Sequence, residues 1–122
     1  MIKFSEINKS KRIVIKIGSS LLINENGTAD QKWLENFAED ILNLKKKEII
    51  IVASGAVSLG KKYLDLSKHE SNINFKQVYA ACGQVILMKK LKKVFKKKKK
   101  KVAQVLLTFS DTENRRRSLN SR

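Results

Sequence analysis

The chain has 122 residues, a length that suits one domain with a modest core. Hydrophobic residues make up 42% and charged residues 31%, the balance of a globular protein, and no uninterrupted apolar run approaches the ~18 residues a membrane span needs. The net charge of +16 would point to a polyanionic partner, but ten lysines without an acid sit between residues 89 and 101, whereas residues 1–88 carry thirteen bases against nine acids.

Met1 to Glu6 lacks the apolar core and cleavage site of a signal peptide, and the single cysteine, Cys82, has no intrachain partner; both predict a reducing, cytoplasmic setting. After this polar lead-in, Arg12 to Ile17 reads as a parallel strand covered on both faces, β-branched and nearly continuous in its apolar residues. Leu21, Leu22 and Ile23 read as its continuation beyond a bend at Gly18-Ser19-Ser20. Asn24 to Thr28 is a polar turn, and Asp30 an N-cap for a helix carrying Trp33, Leu34, Phe37, Ile41 and Leu44 at helical spacing. That helix ends near Lys45 to Lys47, where cations suit the dipole.

Ile49 to Ala53 is the second strand, Gly55 to about Leu64 a second helix, and Ser67 to Asn74 a polar surface loop. Phe75, Val78, Tyr79, Cys82 and Ile86 mark a longer helix that continues into the lysine-rich segment. Val102 to Thr108 reads as a third strand, followed by a polar tail. The order β-α-β-α-α-β implies an α/β fold with a parallel sheet and right-handed crossovers, whose ligands gather outside the C-terminal ends of the strands.

Two motifs fall at such ends. Lys16 is followed, after Ile17, by Gly18, Ser19 and Ser20, a cation beside flexible backbone amides and hydroxyls, which is the composition of a phosphate site. Taken alone, so short a motif is more often a surface lysine beside a turn. Ser54-Gly55-Ala56 joins a strand directly to a helix, so Ser54 is either a plain N-cap or, with Gly55 and the first helical amides, a receptor for an acidic substrate. Ser54 lacks G-x-S-x-G flanks and His69 lies in a polar loop, which argues against serine hydrolase chemistry. No G-x-x-x-x-G-K-[ST] or G-x-G-x-x-G pattern occurs. One cysteine and one histidine do not make a zinc site, and Asp111 and Glu113 read as surface residues, so no metal ligand is assigned. The lysine run reads as a solvated helix end, because the aromatics that stack bases are not interleaved with it apart from Phe95 at its edge.

Four blocks in order, Arg12 to Leu22, Ile51 to Gly60, Gln77 to Met88 and Val102 to Arg122, resemble the glutamate 5-kinases of the amino-acid kinase family. The resemblance implies a three-layer αβα sandwich with a largely parallel sheet. It implies ATP- and magnesium-dependent phosphorylation of the γ-carboxylate of L-glutamate, the first step of proline synthesis, and a homo-oligomer at full length. Under it Lys16 is the ATP-contacting lysine, Gly18 and Ser19 the backbone beside the phosphates, and Ser54 with Gly55 the glutamate site. The blocks cover residues 12–122 and read as the N-terminal portion of a kinase domain, inactive alone. The family's Asn-Glu-Asn-Asp and Gly-Asp-Asn-Asp blocks, and the RNA-binding-like domain of many members, have no counterpart in these residues. A half-built parallel sheet is expected to expose an apolar edge and face. Two other readings stand beside this one. Another amino-acid kinase would differ in acceptor preference. A basic nucleic-acid-binding protein on a degenerate kinase scaffold would show salt-dependent binding that vanishes when Lys96 to Lys101 become glutamine.

Overall fold

A computed structural model describes residues 4–65, 73–114 and 119. In chain order these form α1 (Phe4–Lys9), β1 (Arg12–Ile17), α2 (Ser19–Leu22), α3 (Gln31–Asn43), β2 (Glu48–Ala53), α4 (Ala56–Leu64), α5 (Ile73–Lys97) and α6 (Phe109–Glu113). The two strands pair in parallel, from Arg12 opposite Glu48 to Ile17 opposite Ala53, as an α/β chain with helical crossovers requires. Ile15, Ile17, Ile51 and Ala53 turn inward onto a core built with Leu34 and Ala38 of α3 and Leu87, Leu91, Val94 and Phe95 of α5.

The expectation of strands covered on both faces is corrected. Val14 is 61% exposed, Ile50 46% and Val52 49%, so among the described residues helices cover one face only. The crossover from β1 to β2 lays α3 on that face, and α5 packs beside α3 on the same core. The fold is thus parallel α/β, with two layers formed by the described residues, and the apolar exposure expected of a half-covered sheet is present.

Local signals were honoured where they were complete. Asn24 Oδ1 accepts hydrogen bonds from the amides of Asn26 and Thr28 and from Thr28 Oγ1, and Gly27, at φ +74°, closes the turn. The Asp30 carboxylate accepts from the Trp33 amide at 2.9 Å and starts α3 as an N-cap. Trp33 and Phe37 then stack with centroids 5.1 Å apart.

Three further readings are corrected. Leu21 to Ile23 is not a strand continuation: Ser19 to Leu22 make one helical turn that buries Leu22 completely, and Ile23 forms an isolated bridge with Ala29. The lead-in contains α1, whose last carbonyls, those of Ile7 and Asn8, receive the Lys47 ammonium together with the carbonyl of Ser10. Val102 to Leu107 is not a strand among the described residues. A strand exists through its ladder, and no partner lies beside this segment; Val102 touches the core, but Val105, Leu106 and Leu107 are 58–78% exposed. Thr108, read as the strand's end, instead opens α6: its amide and hydroxyl donate to Asp111 Oδ2 at 2.7 and 2.6 Å, which occupies one of the two tail carboxylates. Most of the predicted Ser67–Asn74 loop, His69 included, lies outside the described residues, and Asn74 belongs to α5.

Candidate active site at two strand ends

The parallel register brings the ends of β1 and β2 side by side, Lys16 opposite Val52 and Ile17 opposite Ala53. One step beyond, the Ser54 amide and the Ser54 hydroxyl both donate to the Ile17 carbonyl, each at 3.1 Å. Ser54 is therefore not the N-cap of α4. That position belongs to Gly55, which has no side-chain cap to offer, so the first-turn amides of α4 have no capping oxygen from it. Gly55 sits at φ +102°, where residues with a side chain are strained, and a Cβ there would lie 3.1 Å from Ile23 Cγ1 and 3.6 Å from Ser19 Cβ. The turn after β1 and the junction after β2 thus touch, and Ser19 and Gly55 are neighbours.

Lys16 points to the uncovered face of the sheet, alternating with the buried Ile17, and has no hydrogen-bond or ion-pair partner among the described residues. Gly18 has an ordinary extended backbone, φ −72° and ψ 155°, so the bend expected at Gly18-Ser19-Ser20 does not rest on the glycine; the one-turn α2 makes it. What Gly18 contributes is open space, since an added Cβ would meet only Ser20 Oγ, at 3.7 Å. Ser19 and Ser20 are exposed at the start of that turn.

Two glycines with no assigned role hold this arrangement. A Cβ on Gly60 would lie 1.8 Å from the Tyr79 carbonyl oxygen, and one on Gly83 would lie 1.7 Å from that of Ala56. The backbones of α4 and α5 are therefore in direct contact, and the contact at Ala56 falls on the first residue of α4, immediately after Ser54-Gly55. The pairing Ala56-x-x-x-Gly60 places two small residues on one helical face, and that spacing was a readable sign of close approach. An open hollow of about 320 Å³ lies between the Glu25 to Gly27 turn and Ser58, Lys61 and Lys62 of α4; neither Lys16 nor Ser54 lines it.

Comparison with known proteins places this geometry in context. Residues 11–122 match the amino acid kinase family. Over 118 residues the chain is 48% identical to a glutamate 5-kinase of Pelagibacter ubique, covering 95% of this chain and 32% of that protein. It is 44% identical over 116 residues to the glutamate 5-kinase of Caulobacter vibrioides strain NA1000 (93% and 31%), and 41% identical over 119 residues to that of Ruegeria sp. TM1040 (95% and 32%). The chain spans about a third of the length of these relatives.

Proposed function

The chain belongs to the amino acid kinase family, and from that premise we propose that it contributes the phosphate-binding and acceptor-binding strand ends of a cytoplasmic ATP-dependent kinase acting on the γ-carboxylate of L-glutamate. One observation carries this reading: two hydrogen bonds from Ser54 to the Ile17 carbonyl join the two motifs at a single sheet end. Donor and acceptor would meet there, outside the C-terminal ends of parallel strands.

In phosphoryl transfer the protein mainly positions the reactants and offsets charge on the transferring group. Lys16, exposed and without an ion-pair partner among the described residues, is the cation for the terminal phosphates of ATP, and the space around Gly18 lets those phosphates approach the backbone beside Ser19. On the other side, Gly55 and the amides opening α4 receive an anionic carboxylate. The Ser54 hydroxyl already donates its hydrogen bond to the Ile17 carbonyl, so its oxygen offers lone pairs. That suits the ammonium of an amino acid; donating to a carboxylate would require the hydroxyl to leave Ile17. The glutamate carboxylate attacks the γ-phosphorus in line, and ADP departs with no covalent enzyme intermediate. Magnesium shields the phosphate charges when it accompanies ATP; none of Lys16, Gly18, Ser19, Ser54 or Gly55 is a carboxylate, so no side chain is assigned to it.

Titration calorimetry with ATP and with L-glutamate on the full-length kinase carrying these strand ends tests the assignment, alongside hydroxylamine trapping of the acyl phosphate. Lys16→Met should lose at least tenfold in ATP affinity with glutamate binding intact, and Ser54→Ala should do the reverse. ATP binding that is indifferent to Lys16, or equal binding of aspartate and glutamate, would remove the donor or the acceptor half of the proposal respectively.

A further inference from the structure

Thirteen residues of α5 and its exit carry a charge that the proposed chemistry does not use. Between residues 89 and 101 there are ten lysines and no acid. The underside of this stretch is fixed in the core, with Leu87 1%, Leu91 5%, Val94 1% and Phe95 5% exposed. At 100° per residue, Lys89, Lys92, Lys93 and Lys96 fall within a third of the helix circumference directly opposite those residues, and all four are exposed. Lys97 and Lys98 turn aside to Glu35 and Glu39 of α3, whereas the other four have no ion pair among the described residues. Glu35 and Glu39 are thus engaged by the lysines beside the stripe, and the stripe has no ion-pair partner among the described residues.

We infer that this stripe is a docking surface for the phosphate backbone of a nucleic-acid duplex. Lys89, Lys93 and Lys96 rise about 6 and 4.5 Å apart along the axis, a rigid row of point charges on a helix held in place by its core face. A row of lysines neutralises phosphates without reading bases. Phe95, the one aromatic in the run, is buried, so the surface has no stacking platform for single strands. A membrane surface fits less well, because the apolar face that an interfacial helix inserts is here occupied by the core.

Fluorescence anisotropy with a labelled 20-base-pair duplex tests this, comparing two variants of equal charge. One carries Lys89, Lys92, Lys93 and Lys96 each changed to Gln; the other carries Lys11, Lys32, Lys45 and Lys62 each changed to Gln. All eight lysines are exposed, and circular dichroism verifies the fold. The stripe variant should lose at least tenfold in affinity at 100 mM salt and flatten the salt slope by about 4, roughly 0.9 per phosphate contact, while the control variant keeps most of both. Lys93→Gln alone should flatten the slope by about 1. Equal losses in the two variants would reduce the effect to net charge and overturn the inference. So would tighter binding to a single strand of the same length, or binding to phosphatidylglycerol vesicles that the duplex does not compete away.

Discussion

The two halves of α5 meet the rest of the protein in opposite ways. In its first half Gly83 and Tyr79 press backbone against the backbone of α4, with no room for a single added carbon at Gly83 or at Gly60. In its second half Leu87, Leu91, Val94 and Phe95 interdigitate with α3 and the sheet through side chains, and the outer surface is lysine. The first arrangement fixes position, because close backbone contact leaves one relative placement of the helices. The second supplies apolar burial and tolerates change on its outer side. It is the position-fixing half that abuts the Ser54-Gly55 junction, so the candidate site is held by the part of the helix least able to vary.

The sharpest way to break this contrast is Gly83→Ala. Its Cβ must displace the Ala56 carbonyl and with it the start of α4, and the expected loss is about 3 kcal/mol in urea denaturation. Gly18→Ala, with only Ser20 Oγ at 3.7 Å, should change stability by less than about 1 kcal/mol. Comparable losses in the two would mean that α4 and α5 are not locked by backbone contact. A smaller effect, of opposite sign, is expected where the second half ends. Lys99 sits at φ +59°, the Lys100 amide donates to the Phe95 carbonyl and the Lys99 amide to that of Lys96. This is a Schellman C-cap with a lysine where glycine is favoured. Lys99→Gly should therefore stabilise the protein by about 1 kcal/mol, and a neutral or destabilising result would place the helix end elsewhere.

How much of this was readable follows from how local each cause is. The Asn24 turn and the Asp30 cap involve partners within four residues, and the sequence displays both partners at once. The underside of α5 is visible as helical spacing. Leu21 to Ile23 was misread because three apolar residues do not distinguish a strand from a helical turn. Val102 to Leu107 was misread because a ladder depends on a neighbour that the segment itself does not specify. At the site, Lys16 and Ser54 were recognisable as strand-end residues. That the Ser54 hydroxyl is engaged by Ile17, and that Gly60 and Gly83 hold α4, are properties of tertiary contact. A glycine inside a helix reads from sequence as a weakness, whereas here it permits the approach of two backbones.

The smallest expected effect separates the lysines that serve the fold from those that face outward. Glu35 Oε1 accepts from the Gln31 side chain at 2.9 Å and from Lys97 at 3.0 Å. The Gln31 hydrogen bond first, and then the bond and charge of Lys97, hold its carboxyl below the ordinary value of 4.5. A carboxylate whose pKa is depressed by folding adds stability that is present in full above its unfolded value and disappears as pH falls through the folded one. Stability should thus decline slightly as pH drops below about 4.5, and Glu35→Gln should remove that part of the decline while leaving stability at pH 7 nearly unchanged, since the pair is exposed and screened. Lys97→Gln should flatten the same acid limb in part, because Gln31 remains, whereas Lys93→Gln, on the outward stripe, should leave it untouched. If the Lys93 variant altered the acid limb as much as the Lys97 variant, the charge of α5 would act on Glu35 as a diffuse cloud, and the division of its second half into an inward-tied pair and an outward row would not hold.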